Sequence, residues 1–437
     1  MSLWKLGLIS AFALVFVIGT APAFANDEAD AEAAEEMEME EEDVAVIEIT
    51  EIIEDLNTDV ISSQTSFGDV TADLDLTVSG GTDVSATAAA IANSLSIDSS
   101  TGVALEAEQI AEGAVVADAL VSISNTSGDA SATAAAMGNS LSATSEDSLS
   151  ISSIFQDQGP GEFAEGAPEG IAASLSGSGD AGLADFSDIQ GELGATAAAL
   201  GNSATVNAGD IETGVTQITA SGTDAFAGVE ATGVDFDASV TAAAIGNSAS
   251  LDSQSFGIVD LDQLNAGEAD LAGVEAWMDN VQGSASATAA AIGNSANVAS
   301  SDALDLMSTQ ESDADVASDF MGGMSGIAGD ADVTAAAIGN SLSASAGDFD
   351  MLTDVLQANG GSQVTADVDS QLEWVGGDAS ATAAAISNSA TFEVGTDLDL
   401  VIDQYSAADV NAGYTGCLLY TSPSPRDLST SRMPSSA

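Results

Sequence analysis

The feature that most constrains this chain is a ten-residue segment that recurs seven times. Its copy at residues 286–295 reads SATAAAIGNS. Marker threonines in the copies follow one another at 46, 63, 45, 47, 46 and 48 residues; they are Thr87, Thr133, Thr196, Thr241, Thr288, Thr334 and Thr382. A nearly constant period of this length is typical of repeat proteins, in which each unit packs on its neighbours. We therefore expect one repeated architecture of about eight units over residues 57–416.

The one long spacing indicates an insertion rather than an end of the array. Residues 156–174 read QDQGPGEFAEGAPEGIAAS and contain Pro160 and Pro168. All other prolines lie within the first 25 or the last 21 residues. Because proline and glycine favour loops, we predict a loop insertion over residues 156–174.

A second marker divides each period into two halves. A glutamine precedes the marker threonine by 23 to 25 residues, once the insertion is subtracted in the case of Gln156, and Gln404 opens a further unit. We expect each half to form one strand-turn-strand rung. Two rungs per period, stacked at about 4.8 Å, would make a rod of roughly 75 Å.

The decamer itself is compatible with a helix or a strand. Alanine favours helix and Gly-Asn could cap one, but only about seven residues precede the glycine, which is short for a stable helix. After Gly-Asn-Ser, apolar and polar residues alternate, as in Ala390, Thr391, Phe392 and Glu393. This period of two predicts a half-buried strand. We therefore predict an all-β fold, a repetitive β-solenoid with a period of about 46 residues and with Gly-Asn-Ser as a corner.

Stacking of the units would place recurring amide side chains above one another. The asparagines are Asn93, Asn139, Asn202, Asn247, Asn294, Asn340 and Asn388, and the glutamines are Gln64, Gln109, Gln217, Gln263, Gln310 and Gln357. Each series could form a hydrogen-bonded ladder. The alternative for the asparagines is that they merely tolerate the left-handed conformation of a turn.

The charge of the chain excludes several classes of function. Residues 26–416 contain no Lys, Arg, His or Cys, yet they contain all but one of the 70 acidic residues. Nucleic acids and anionic membrane surfaces would be repelled. Catalytic systems and zinc sites that need His, Cys or Lys are ruled out, and no carboxylate pair stands out for glycoside hydrolysis. We expect no enzyme activity.

So many uncompensated carboxylates require screening by salt or by a divalent cation such as Ca²⁺ or Mg²⁺. Six Asp-x-Asp pairs would each point to one face of a strand and could form cation sites between rungs. They are Asp73 and Asp75, Asp235 and Asp237, Asp260 and Asp262, Asp348 and Asp350, Asp367 and Asp369, and Asp397 and Asp399. The alternative is a solvated acidic surface adapted to high salt.

Both ends of the chain differ from the repeats. Residues 1–25 are typical of a cleaved secretory signal peptide, so we expect an exported protein. Residues 26–56 begin with a dense acidic run and are expected to form a disordered arm. Residues 417–437 resemble translated sequencing adapter, so we expect a non-native tail and a natural chain that continues beyond residue 416.

The recurring Ser, Gln and Asn resemble the curli-type secreted β-strand repeats. The segment VSATAAAIANSLS and the VTADV-like segments are more similar to the longer β-strand repeats of alphaproteobacterial surface proteins, including holdfast-anchoring adhesins. The resemblance covers about residues 64–416. It implies a secreted or cell-surface structural or adhesive protein that forms or anchors a fibre or biofilm matrix, with self-association or other matrix components as partners. The alternatives are an ice-binding or a divalent-cation-binding solenoid, although one threonine per period is sparse for an ice-binding face.

Overall fold

The computed structural model describes residues 47–53, 58–100, 102–159, 170–177, 182–267, 269–347, 350–361 and 363–419. The predicted signal peptide, most of the predicted acidic arm and residues 420–437 lie outside these ranges. The described residues form 25 strands in three sheets. Within these ranges there is no helix that is long and apolar enough to cross a membrane.

Each turn of the chain, which we call a coil, contributes to all three sheets. Sheet A contains β1 (Ile47–Ile53), β4 (Val84–Ser99), β7 (Ala130–Ser145), β11 (Leu193–Ala208), β14 (Ala238–Ser253), β17 (Ala285–Ser300), β20 (Ala331–Ala346) and β23 (Ala379–Val394). Sheet B contains β2 (Thr58–Ser66), β5 (Val103–Ala111), β8 (Leu149–Gln158), β12 (Ile211–Thr219), β15 (Gly257–Asn265), β18 (Leu304–Ser312), β21 (Met351–Asn359) and β24 (Leu398–Ser406). Sheet C contains β3 (Val70–Gly81), β6 (Val115–Thr126), β9 (Ile171–Ser176), β10 (Ala184–Ile189), β13 (Thr223–Val234), β16 (Ala269–Val281), β19 (Asp315–Ser325), β22 (Gln363–Glu373) and β25 (Asp409–Leu419).

Strands of successive coils pair in parallel at equivalent repeat positions. Thr241 of β14 pairs with Thr288 of β17, and Asn247 pairs with Asn294. The prediction of an all-β, repetitive solenoid is confirmed. The expectation of two rungs per period is wrong, because one strand from each sheet is needed to bring the chain back above its starting point. Eight coils at about 4.8 Å extend about 38 Å, roughly half of the expected rod.

The decamer lies inside a continuous 16-residue strand rather than at a corner. In β7, alternate residues up to Ala136 are buried, then Gly138 and Asn139 are both buried, and burial resumes at Leu141. Gly-Asn therefore shifts the alternation of inward and outward side chains by one residue without ending the strand. The first half of each strand packs with sheet C on an alanine-rich core, and the second half packs with sheet B on a core that also contains Leu, Ile and Val.

The predicted insertion over residues 156–174 is wrong in its bounds. Gln156 remains in β8, in register with Gln109 and Gln217, and Ile171 begins β9. The additional residues instead fall in two stretches, 159–170 and 177–183, most of which lie outside the described residues. The second divides one sheet C strand into β9 and β10, both of which pair with β6. Register with the coils on both sides fixes the positions of β8, β9 and β10.

The two ends of the array also differ from expectation. Residues 47–53, assigned to the disordered arm, form β1, which pairs with β4 at Asn93 to Ser99. Their sequence, IEITEII, is rich in β-branched residues that favour strands. At the other end β25 continues to Leu419, three residues past 416, and pairs with β22. The adapter origin of the tail stays a prediction.

Candidate functional site

The seven recurring asparagines form one buried column inside sheet A. Nδ2 of each of the first six donates to Oδ1 of the asparagine in the next coil at 2.8–2.9 Å. The other N–H of the amide reaches a backbone carbonyl of sheet B, as in the 2.9 Å bond from Asn247 to the oxygen of Leu264. None of these asparagines is among the described residues with positive φ, so a left-handed turn does not account for them.

The glutamines form a second column in sheet B, and Gln156 and Gln404 belong to it. Nε2 of each glutamine after Gln64 donates to Oε1 of the glutamine in the preceding coil at 2.5–2.8 Å. It also donates to a serine carbonyl of sheet A, as in the 2.9 Å bond from Gln263 to Ser295. Asparagine amides therefore donate toward the C-terminal end of the stack and glutamine amides toward the N-terminal end.

The two ladders together tie sheets A and B to each other and each coil to the next. Their amide dipoles point in opposite directions, so they offset one another along the stack. Chains of buried hydrogen bonds polarise each other, and a fully satisfied network favours one packing arrangement. These amide groups serve the stacking of the chain and are not arranged as a reactive centre.

Five of the seven decamers have a glycine that is favoured by close packing and not by its backbone conformation, and Ala92 and Ser387 take its place in the first and last copies. A Cβ on Gly246 would lie 2.6 Å from the carbonyl oxygen of Gly293 and 2.9 Å from Nδ2 of Asn265. Asn265 belongs to a polar column that the sequence analysis missed. Its signal is a polar residue two positions after the ladder glutamine, and its members near the glycines are Gln158, Thr219, Asn265, Ser312 and Asn359.

A further column lies at the corner between sheets C and A. Its members stand four residues before each marker threonine, and they are Asp83, Asp129, Glu192, Asp237, Ser284, Asp330 and Asp378. Oδ1 of Asp237, for example, accepts a 2.7 Å bond from the backbone N–H of Ser284 in the next coil. Four further bonds of this kind, of 2.8–3.3 Å, link other members. The sequence analysis missed this column, although a polar residue with a side-chain oxygen occupies the position in every copy.

The six Asp-x-Asp pairs lie in different parts of the stack. Three pairs lie within strands: Asp73 and Asp75 on β3, Asp260 and Asp262 on β15, and Asp367 and Asp369 on β22. Two pairs lie next to strands: Asp235 and Asp237 before β14, and Asp397 and Asp399 at the start of β24. In the sixth pair, Asp350 precedes β21 and Asp348 is outside the described residues. In the part of the chain that is described, no three acidic residues lie close enough to hold a metal ion. The structure therefore does not bring pairs of adjacent coils together.

Within the strands, unlike in the corner column, most carboxylates are kept out of register between coils. On the outer face of sheet B one column runs Glu212, Ile258, Asp305, Leu352 and Asp399, so acidic and apolar residues alternate. Among all described strand pairings, only three bring two acidic residues together, and all are in sheet C: Asp73 with Asp118, Asp185 with Glu230, and Asp319 with Asp367. This spacing limits the repulsion that the composition would otherwise produce.

Two of these three contacts perturb a carboxyl group. Burial, followed by the charge of Asp73, raises the pKa of Asp118. Burial, followed by the charge of Asp367, raises the pKa of Asp319. Both directions follow from the cost of placing charge in a partly buried position beside a like charge.

One carboxyl group lies wholly inside the stack. Asp270 of β16 occupies a position that is valine in several other coils, including Val316 directly above it. Thr223 donates a 2.5 Å bond to Oδ1, and Nδ2 of Asn265 donates to Oδ2. Burial raises the pKa of the Asp270 carboxyl to about 7, although both hydrogen bonds act in the opposite direction. We therefore expect this residue to make the stability of the chain dependent on pH.

Comparison with known proteins agrees with this repeated architecture. The family model of holdfast attachment protein D matches residues 50–167, 178–302 and 279–431. The matched segments span most of the chain and nearly all of the described coils. No curated protein and no solved structure matches the chain.

Proposed function

The chain belongs to the family of holdfast attachment protein D, and we propose that it is an extracellular structural protein that anchors an adhesive structure at the cell surface. Export depends on the predicted signal peptide. In this proposal the protein acts without catalysis, as part of a surface fibre or matrix. The outer carboxylates are screened by salt or by Ca²⁺ or Mg²⁺.

The observation that carries the proposal is that the side chains inside the stack serve to hold one coil on the next. In successive coils, the Asn and Gln amides and the small side chains occupy equivalent positions. A shallow, open depression lies at the surface of the described residues, beside Ser300, Ser345 and Gly395. The family name and the stacked interior therefore support a role for the outer faces as a scaffold.

The test uses cells that produce the protein, and it measures how many remain attached to glass under flow. Deletion of the gene should reduce attachment, and the full chain should restore it. A chain lacking residues 242–288 removes one whole coil and should also restore attachment, because the remaining coils keep their register. A chain lacking residues 242–264 breaks the register and should not restore it.

Antibody labelling of intact cells checks that every variant reaches the surface. Repeating the attachment measurement with a chelator, and then with added Ca²⁺ or Mg²⁺, tests the role of divalent cations. Unchanged attachment after deletion of the gene, or a chain found only inside the cells, would contradict the proposed function.

A further inference from the structure

The outer face of sheet A carries no charge across five neighbouring columns. In β17 these columns contain Thr288, Ala290, Ile292, Ser295 and Asn297. The paired positions in β4, β7, β11, β14, β20 and β23 are also uncharged, and the third column is always Ile, Met or Leu. We call these five columns over seven strands the neutral face.

Carboxylates begin at the margins of the neutral face and continue over the other two sheets. Asp332 lies in the column of Ser286, next to the column of Thr288. Asp252 lies in the column of Ala299, next to the column of Asn297. Outer positions of sheets B and C carry residues such as Asp305 and Asp369, both exposed. The chain has a formal net charge of −67, so a like-charged molecule is repelled by the carboxylates of the other outer faces. The neutral face is therefore the large described surface that such a molecule can approach.

The neutral face is large enough for a stable contact. Nine residue spacings along the strand at about 3.3 Å, and six spacings between strands at about 4.8 Å, give roughly 860 Å². A typical stable protein interface buries about 800 Å² on each partner. The Ile, Met and Leu column supplies apolar area, while alanine and serine are small enough to let two sheets approach closely.

We propose that the neutral face binds the neutral face of a second copy of this chain, so that two solenoids lie side by side about a twofold axis. Any pairing that uses the outer face of sheet B or sheet C would place carboxylates in the contact without a counter-charge, whereas this one keeps them at the margins. The proposal deepens the proposed function, because it names the partner that begins a fibre or matrix.

Sedimentation velocity of the full chain in physiological salt tests the pairing, with Ala290→Asp and Ala290→Asn as matched variants. Ala290 lies near the centre of the face, and its paired neighbours Ala243 and Ala336 are uncharged. An added carboxylate therefore repels only a second copy. We expect dimers of the native chain and of Ala290→Asn at micromolar concentrations, and a dissociation constant at least tenfold weaker for Ala290→Asp.

Circular dichroism and thermal unfolding establish that both variants fold. A native chain that remains monomeric throughout, or an Ala290→Asp chain that dimerises as tightly as Ala290→Asn, would overturn the proposed pairing. Attachment of cells that produce Ala290→Asp is a separate readout. If those cells attach normally while the variant is monomeric, the pairing fails as a requirement for adhesion and the anchoring function stands.

Discussion

Nδ2 of Asn247 donates a 2.9 Å hydrogen bond to Oδ1 of Asn294, and the two residues occupy the same position in successive coils. Oδ1 of Asn247 in turn accepts bonds from Asn202 and Thr219. One side chain thus links three coils. The relationship explains why the repeat keeps a buried polar residue in the middle of a strand that is otherwise composed of small and apolar inward residues.

Replacing Asn247 with leucine should lower the free energy of unfolding by about 3 kcal/mol or more. The change removes the acceptor of Asn202 and Thr219 and the donor to Leu264, and each buried group left without a partner costs about 1–3 kcal/mol. The urea midpoint measures the effect. Asn411→Leu, at an exposed position of β25 outside the neutral face, should change stability by no more than about 0.5 kcal/mol. Equal shifts for the two variants would contradict the role of the ladder.

Gly293→Ala should destabilise the chain by about 1–3 kcal/mol. Its new Cβ would lie 2.6 Å from the carbonyl oxygen of Gly339 and 2.7 Å from Oγ of Ser312, so the coils must move apart. Gly194→Ala is the matched control, because a Cβ there meets no atom within 4 Å. Thermal unfolding should show a lower transition for the first variant and an unchanged or slightly higher one for the second. A stable Gly293→Ala chain would mean that the coils are not packed this closely.

Asp270→Asn should make the chain more stable than the native protein above pH 7. The folded-state pKa of Asp270 is raised from 3.8 to about 7, so its contribution to stability is fully present below pH 3.8 and is lost as the pH rises through 7. This shift corresponds to roughly 4 kcal/mol. The asparagine amide can donate to Oδ1 of Asn265, which has no partner in the described structure.

The difference in urea midpoint between Asp270→Asn and the native chain, followed from pH 4 to pH 8, isolates this group from the other carboxylates. The difference should grow in favour of the variant as the pH rises. A difference that does not depend on pH would show that Asp270 is not buried as described.

Met307→Asp should destabilise the chain at low salt by about 1–2 kcal/mol relative to Met307→Asn. Met307 is exposed in sheet B between Asp260 and Asp354, so the new carboxylate would complete a column of three. Each contact at this spacing costs about 1 kcal/mol in water, and salt screens it. The gap between the two variants should close at high salt. Equal unfolding midpoints at low salt would indicate that the alternation of charges has no energetic role.

The repeat period was enough to predict the fold class and the positions that stack, because equivalent residues of a solenoid must recur at the length of its coil. The number of strands per coil was not predictable from the same period. Gly-Asn suggests a corner by composition, yet the glycine is set by the nearby side chain of residues such as Asn265, which lies about 20 positions away in sequence. Contacts of this kind are invisible until the three sheets are known.

The carboxylates show a similar division. Their abundance was evident, and stacking of Asp-x-Asp pairs was a reasonable expectation from local spacing alone. Whether Asp260 meets another carboxylate depends on which residue the neighbouring coil places beside it, and those residues are Gly214 and Met307. Asp270 likewise reads as one more acidic residue until its pairing with Thr223 and Val316 shows that it lies in the valine column.

One period of about 46 residues forms one coil in register with the next. Disulfide formation between cysteines placed at Thr241 and Thr288, in a chain that also carries Cys417→Ser, tests it directly. These residues are paired neighbours, and adjacent strands bring Cα atoms within the range of about 4.4–6.8 Å that a disulfide spans. The account predicts rapid and nearly complete cross-linking of this pair, and none between cysteines at Thr241 and Leu264. Cross-linking of the 241–264 pair in place of the 241–288 pair would contradict it and would support two rungs per period.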